Sequence, residues 1–393
     1  MENKHTAAEL LQWQSLPLSV KVLMTRQRIR DWIDYFGEDG VYISFSGGKD
    51  STVLIDIVRN VCGYKDCKAM FVDVPTQYPE LRDFAKKFDS VDIVRPKMNF
   101  MQVCDKYGFP LISKEVSENV YGAKKYLRTI LDSNTIVQTD RQTDRQTYRI
   151  GTVWIDSAEL ANILNERMLN KEGGSNQRLA IMLGMLTRNP QHPVMATIPK
   201  DDRSKFAMTK YKFMLDAPFE ISNICCRIMK KNPARDYEKT TGRKPMTAQM
   251  AVESRLRKQK WIQHGCNAFE SGHQVSNPMA FWTENDVLQY IAENDLEICS
   301  VYGDVVTCDD QSVIPGCGIP VKYKTTGCTR TGCMLCGFGC QFESAEKGDA
   351  RFLNLKETHP GMYGMLDKCT NNGVTFRQAI EWINENGTIK IPI

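Results

Sequence analysis

The chain has 393 residues, of which 42% are hydrophobic and 25% are charged, and its net charge is +4. These are ordinary globular values, with enough apolar residues for a large core, in one large domain with additions or in two domains. No apolar run approaches the roughly 18 residues of a membrane helix. The start, MENKHTAAELLQWQ, lacks the basic and apolar parts of a secretory signal. We therefore expect a cytoplasmic protein that does not bind membranes.

Alternating patterns predict the first part of the fold. Residues 1–40 carry apolar side chains near helical spacing and form a helical lead-in. Strands are predicted at 41–46, 69–74 and 91–94, with helices of about a dozen residues between them. This order indicates an α/β fold with a doubly wound, Rossmann-like parallel sheet. Ligands of such sheets bind at the carboxyl ends of the strands.

A glycine loop follows the first strand and precedes a helix. Its sequence is SGGKDS, formed by Ser46, Gly47, Gly48, Lys49, Asp50 and Ser51. Glycines let backbone N–H groups approach phosphate oxygens, and the helix dipole favours the negative charge. The lysine adds a cation and the serines add hydroxyl donors. The loop is not a Walker A motif, because an aspartate follows the lysine. It predicts a phosphate-binding site.

Two further features suggest an anionic ligand. Asp73 ends the second predicted strand. An acid at this place can bind a ribose hydroxyl, a magnesium ion or an adenosine, or it can simply be a solubilising residue. Between Cys225 and Lys260 there are eleven Lys and Arg residues against three acids. This excess favours polyphosphate, sulfate or nucleic acid as a ligand, or else marks a solvated helix face.

The rest of the chain divides into an insertion and a cysteine-rich end. The polar repeat TDRQTDRQT at 139–147 lacks apolar periodicity and indicates a solvated insertion near 135–205. We predict a lead-in at 1–40, a nucleotide-binding domain at 41–300 and a cysteine-rich C-terminal extension at 301–393.

Six of the fourteen cysteines are candidate metal ligands: Cys225, Cys226, Cys328, Cys333, Cys336 and Cys340. The last four lie within 13 residues, with glycines between them. Four local thiolates could hold zinc. The spacing C-x4-C-x2-C also matches plant-type [2Fe–2S] ferredoxins. The sequence leaves both ligations open.

The chain resembles the phosphoadenosine phosphosulfate reductase family, within the PP-loop ATP pyrophosphatases, also called adenine nucleotide α-hydrolases. The motifs are FSGGKDST, FVDVPTQYPE, YGFPLISKE, CCRIMKKNP, ESRLRKQ and TGCTRTGCMLC, spread over about 41–360 with one interruption. The resemblance implies the adenine nucleotide α-hydrolase type of fold. It also implies that Ser254 and Arg257, in ES-x-x-R, lie near the substrate anion. The family often has glycine where this chain has Ala248, which puts the backbone approach there in doubt.

The same resemblance implies a third ligation and a set of cofactors. Iron–sulfur members of the family hold a [4Fe–4S] cluster with a CC pair and a distant C-x2-C, here Cys225–Cys226 with Cys333 and Cys336. We favour this cluster, with zinc as the alternative. ATP and Mg²⁺ are the other expected cofactors.

The leading hypothesis is an ATP-dependent enzyme in which Lys49, Asp50 and Ser51 are catalytic. A substrate oxygen would attack the α-phosphate and release pyrophosphate, with coupling to sulfur transfer from an unknown donor to nucleic acid or another anionic substrate. A non-catalytic nucleotide-binding regulator is one alternative. A sulfonucleotide reductase is another, disfavoured because the last cysteine, Cys369, lies outside any Glu-Cys-Gly tail.

Overall fold

A computed structural model gives two compact units of this chain. The residues it describes are 3–132, 138–139, 147–150, 153–156, 178–179, 181–182, 208–308 and 321–393. Unit 1 consists of Met1–Lys97 and Met229–Cys333, and unit 2 of Met98–Ile228 and Met334–Ile393. The three-part division at 40 and 300 stays a prediction. The insertion predicted near 135–205 lies largely outside the described residues.

The described helices are numbered in chain order. They are α1 Ala7–Gln14, α2 Leu18–Phe36, α3 Lys49–Asp56, α4 Pro79–Ala85, α5 Phe100–Tyr107, α6 Lys114–Asp132, α7 Ile224–Cys226, α8 Asn232–Thr241, α9 Arg255–His264, α10 Glu284–Glu293, α11 Arg351–Thr358, α12 Pro360–Tyr363, α13 Met365–Lys368 and α14 Phe376–Asn386. Among the described residues, no helix combines the length and the hydropathy that crossing a bilayer requires.

The described strands are numbered in the same way. They are β1 Val41–Phe45, β2 Ala69–Val72, β3 Val91–Val94, β4 Leu111–Ile112, β5 Gln138–Thr139, β6 Thr147–Ile150, β7 Val153–Asp156, β8 Lys244–Met246, β9 Asn267–Ala268, β10 Val275–Ser276, β11 Val305–Thr307, β12 Tyr323–Thr325, β13 Gly337–Phe338, β14 Thr370–Asn371 and β15 Val374–Thr375.

Unit 1 is built on one sheet with the strand order β3-β2-β1-β8-β10-β9. All neighbouring pairs are parallel except β10 with β9, which is antiparallel. The chain adds β2 and β3 on one side of β1 and later strands on the other. The strand order therefore reverses at β1, which is where doubly wound sheets bind ligands. The predicted fold class is confirmed.

Strand β1 is buried on both faces. Val41, Ile43 and Phe45 are buried, as their alternation predicts, but so is Tyr42. Its ring meets the Tyr237 ring edge-on, and its hydroxyl donates to a carboxylate oxygen of Glu238 at 3.0 Å. A second apolar layer explains this burial, since parallel sheets carry helices on both faces.

A buried ion pair ties the N-terminal helices of unit 1 to α10. Lys21 in α2 is 2% exposed, and its Nζ contacts both carboxylate oxygens of Asp286 at 2.7 and 2.8 Å. Asp286 also belongs to the capping box that starts α10 at Thr283. Asp286 therefore both caps α10 and holds a buried lysine of α2.

Unit 2 gathers around the α5 region. Phe376 of α14 stacks on Phe109 at 4.8 Å between ring centroids. The Asn371 amide accepts a hydrogen bond from the Glu220 backbone and donates to the carbonyls of Cys104 and Asp105. One buried side chain therefore holds three separate stretches of this unit together.

Candidate functional site

The loop between β1 and α3 has the form that the sequence predicts. Gly47 has a φ of +72°, and a Cβ there would lie 2.9 Å from the Leu81 carbonyl oxygen. A Cβ on Gly48 would lie 3.1 Å from the Tyr302 hydroxyl oxygen. The Ser46 and Ser51 hydroxyl oxygens lie 3.0 Å apart and brace the turn. Gly47 is therefore required by its positive φ and by the close backbone contact, while the contact at Gly48 is tight but involves a side-chain oxygen.

Lys49 is a buried cation with acidic neighbours. The residue is 4% exposed, and its Nζ donates to the Thr329 carbonyl at 3.1 Å. The same nitrogen lies 3.2 Å from a carboxylate oxygen of Glu284 and 3.7 Å from one of Asp50. Its ammonium also lies 5.6 Å from the centre of the Tyr302 ring. Lys49 is therefore held in position from several sides by groups of the protein itself.

These groups line a cavity of about 400 Å³, which we call the phosphate cavity. Its lining residues are Ser46, Gly48, Lys49, Asp50, Met250, Val252, Glu253, Thr283, Glu284, Tyr302, Arg330 and Thr331. All of them belong to unit 1. Of the predicted site residues, four line the cavity, while Gly47 and Ser51 shape the loop behind it.

Burial raises the pKa of Asp50 above its ordinary value. The nearby Lys49 charge opposes this rise, Glu284 adds to it, and Arg330 opposes it. Desolvation has the larger effect, so this carboxyl group keeps a proton to higher pH than an exposed aspartate does. Burial likewise raises the pKa of Tyr302 to about 12.

One wall of the phosphate cavity comes from the segment between Cys328 and Cys333, two of the candidate metal ligands. Arg330 and Thr331 line the cavity, and the Thr331 hydroxyl lies 2.7 Å from that of Tyr302. Sequence reasoning missed these residues, together with Glu284. The available signal was the Thr-Arg-Thr run between Cys328 and Cys333, whose hydroxyl and guanidinium groups suit an anion.

Three other predicted residues lie outside the lining of the phosphate cavity. Asp73 accepts hydrogen bonds from Arg82 at 2.6 Å and Arg95 at 3.0 Å. The Ser254 hydroxyl caps α9 by accepting from the Arg257 backbone N–H at 3.3 Å. Arg257 pairs with Glu253, which does line the cavity. Asp73 therefore holds two arginines and Ser254 caps a helix, and the ligand contacts predicted for all three residues stay predictions.

The six candidate cysteine ligands are distributed over both units. Cys328 and Cys333 belong to unit 1, and the other four belong to unit 2. In unit 2, Cys340 is buried and its thiol donates to the Cys336 carbonyl at 3.5 Å. Within the described ranges, no three Cys, His, Asp or Glu side chains are grouped as a metal site. The cluster and its zinc alternative stay predictions, and we derive no reaction step through them.

Cys328 is the candidate ligand that the structure links most directly to the phosphate cavity. It is half-buried, and its Sγ lies 3.9 Å from the Tyr78 hydroxyl. Thr329, the next residue, supplies the carbonyl that binds Lys49. The thiol therefore belongs to the segment that forms the cavity wall.

Comparisons with known proteins match a family model to part of the chain and also find solved structures, one of which is described below. Residues 194–337 match the family model described as the phosphoadenosine phosphosulfate reductase domain. No curated protein matches the chain. A crystal structure of phosphoadenylyl-sulfate reductase from Candida auris, a phosphate complex, is 12% identical with a TM-score of 0.33, covering 76% of this chain and 92% of that one. Residues 194–337 are therefore similar to the phosphoadenosine phosphosulfate reductase domain, which agrees with the family resemblance of the sequence motifs.

Proposed function

We propose that the chain reduces a sulfonucleotide, an adenosine nucleotide whose phosphate carries a sulfate in an anhydride bond. The observation that carries this proposal is that Cys328 belongs to the segment that forms one wall of the phosphate cavity. Lys49 binds the carbonyl of the residue next to Cys328, so a cation and a thiol are linked through one short segment. The family match, which includes this segment, supports the same reaction class.

The cavity offers the groups that such a substrate needs. Lys49 and Arg330 are cations for the phosphate and sulfate oxygens, and Thr331 adds a hydroxyl. The glycines bring backbone close to the anion. The acids Asp50 and Glu284 hold the lysine in place, which limits reorganisation when charge moves to the leaving group.

The reaction balances with two thiols. The Cys328 thiolate attacks the sulfate sulfur, forming an S–S bond as the S–O bond to the phosphate breaks and the nucleoside phosphate leaves. A second thiol then attacks the Cys328 sulfur, which forms a disulfide and releases sulfite. Cys333, on the same segment, is the proposed second thiol. An external dithiol then reduces the disulfide and restores both thiols. We propose the cytoplasm as the location, because its reducing pool keeps such thiols available.

This proposal revises the sequence-based argument against reduction. That argument required a nucleophile in the C-terminal tail. Cys369 is fully buried in unit 2, where it follows the short helix α13. Cys328 instead supplies a half-buried thiol beside the cavity wall, so the missing tail motif does not remove the chemistry.

The test is sulfite release from adenylyl sulfate and from its 3′-phosphate, with a dithiol as reductant. We expect Cys328→Ser to lower the rate by at least about 10³-fold, since the nucleophile is lost. Cys62→Ser is the matched control, a half-buried unit 1 cysteine outside the cavity lining, and should leave the rate unchanged. Sulfite release that survives in the Cys328 variant would refute the mechanism.

A second candidate function is attack on the α-phosphate of ATP, with pyrophosphate release and transfer of sulfur to an activated substrate. The observation that favours it is the pair of carboxylates, Asp50 and Glu284, beside Lys49 in the cavity. Mg²⁺ is commonly held by one or two carboxylates together with substrate phosphates, whose charge it would neutralise. This candidate predicts Mg²⁺-dependent pyrophosphate release that Glu284→Gln weakens and Cys328→Ser leaves intact.

A further inference from the structure

Unit 1 contains a second cavity, of about 200 Å³, beside α9. We call it the α9 cavity. Its walls are α9, the 249–251 stretch, and the β9 and β10 strands with the turn between them. Among the described residues, Met250 is the one that lines both this cavity and the phosphate cavity. The lining residues described for the α9 cavity include no aspartate or glutamate, unlike those of the phosphate cavity.

The floor of the α9 cavity is apolar and rigidly supported. Trp261 is 2% exposed, and Met250, Ala251 and Ala280 are also buried. The Trp261 ring stacks on the His5 imidazole, with 4.5 Å between centroids and 16° between planes. Such a floor suits a flat, partly apolar group better than a bare inorganic anion.

The rim of the cavity is basic. Its four basic side chains are Arg257, Lys260, His264 and His273. Arg257 pairs with Glu253, and His273 lies 3.8 Å from a carboxylate oxygen of Glu238. Lys260 is exposed. After these pairings the rim still favours an anionic group on the ligand.

Side-chain amides complete the lining. Gln249 and Asn277 both line the cavity. The Asn277 side-chain oxygen accepts from the Thr247 hydroxyl at 2.5 Å, and its backbone N–H donates to the Cys266 carbonyl at 2.8 Å. The orientation of this amide is therefore fixed. Amides beside a flat apolar floor can hydrogen-bond to the edge of a nucleobase.

We propose that the α9 cavity binds a nucleotide unit, with its base on the apolar floor and its phosphate against Lys260 and His264, since Arg257 is already paired with Glu253. This would be a second site, occupied together with the phosphate cavity. The unit could come from a free mononucleotide or from a residue of a single-stranded nucleic acid. The basic residues of the 225–260 stretch would bind the flanking phosphates in the second case. The inference goes beyond the proposed reaction and does not depend on it.

The experiment measures binding of uridine 5′-monophosphate and of a uridine hexamer to the full chain by calorimetry. Each titration is then repeated with a non-hydrolysable ATP analogue in excess. We expect Lys260→Ala and His264→Ala each to weaken binding of uridine 5′-monophosphate by about tenfold, the loss typical of one charge-assisted contact. Lys258→Ala, on the same helix but outside the lining, is the matched control and should bind as the wild type does.

The outcomes separate the alternatives. A hexamer that binds at least tenfold more tightly than the mononucleotide, with strong salt dependence, identifies nucleic acid as the source. Equal affinities identify the free nucleotide. Displacement of the mononucleotide by the ATP analogue, or wild-type binding by the Lys260 and His264 variants, overturns the proposal. Cys328→Ser tests the proposed reaction and should leave this binding unchanged, so the two failures are distinguishable.

Discussion

Lys49 contacts two carboxylates, a carbonyl and an aromatic ring of the protein. These contacts reduce the side-chain entropy that is lost when a ligand binds, because the lysine side chain is already ordered. They also mean that the lysine and its acids act as one charged group. Replacing any one of Lys49, Asp50 or Glu284 therefore alters the other two.

Lys49→Met should lower turnover by about 10²- to 10³-fold, whichever nucleotide is the substrate, because the main cation for the leaving phosphate is lost. The measurement is the rate of sulfite or pyrophosphate release at saturating nucleotide. Lys65→Met, at an exposed position outside the cavity lining, is the control and should retain full activity. A fully active Lys49 variant would contradict the assigned role.

Asp50 makes a pH-dependent contribution to stability. Burial raises its pKa above the ordinary value of 3.8. At pH values between the ordinary pKa and the raised pKa, Asp50 is protonated in the folded protein but ionised in the unfolded chain. The free energy of unfolding therefore falls as the pH rises through this range. Asp50→Asn should remove that fall. Urea unfolding of both proteins between about pH 4 and pH 7 tests it, and a constant difference between the two curves would be inconsistent with the raised pKa.

At the scale of elements, the phosphate loop depends on the conformation of one glycine. Gly47→Ala should destabilise the protein by about 1–3 kcal/mol, because a positive φ is combined with a contact of 2.9 Å to the Leu81 carbonyl. Gly63→Ala is the matched control, since Gly63 has a φ of +90° but nothing within 4 Å of the added Cβ. Thermal melting should show a larger loss for Gly47. Equal losses would mean that the contact relaxes freely.

The elements near the loop could be predicted because their signals are local. Alternation of apolar residues predicted β1, and Gly47 and Gly48 predicted the turn before α3. Strands β8 and β10 could not be predicted in this way. They have three and two residues, too few for a period-two pattern, and β8 contains Pro245. Their place in the sheet depends on tertiary packing.

The cavity wall could not be predicted because its contacts are distant in sequence. Nothing local links Thr329 to Lys49, and the neighbouring cysteines favoured a metal site instead. Asp73 shows a similar limit. Its position at the end of β2 was predicted, but its hydrogen bonds to Arg82 and Arg95 depend on how the following segments return to it.

At the scale of the whole molecule, the Lys21–Asp286 pair connects segments from opposite ends of unit 1. Lys21→Met should cost about 3–5 kcal/mol, because it leaves a buried carboxylate without its partner. Lys87→Met breaks an exposed pair with Glu297 and should cost no more than about 1 kcal/mol. Chemical denaturation compares the two. Similar small losses would show that water or another donor replaces the lysine.

The arrangement of the unit 1 sheet also has a consequence for synthesis. Strand β1 lies between β2, which follows it closely, and β8, which begins at Lys244. At about 5–20 residues per second, a ribosome takes roughly 10–40 s to make the intervening stretch. Throughout that interval one edge of β1 has no partner, and an open edge can pair with other nascent chains. Slower translation lengthens this exposure, so the rate of elongation before Lys244 sets how long that edge of β1 stays open to wrong pairing.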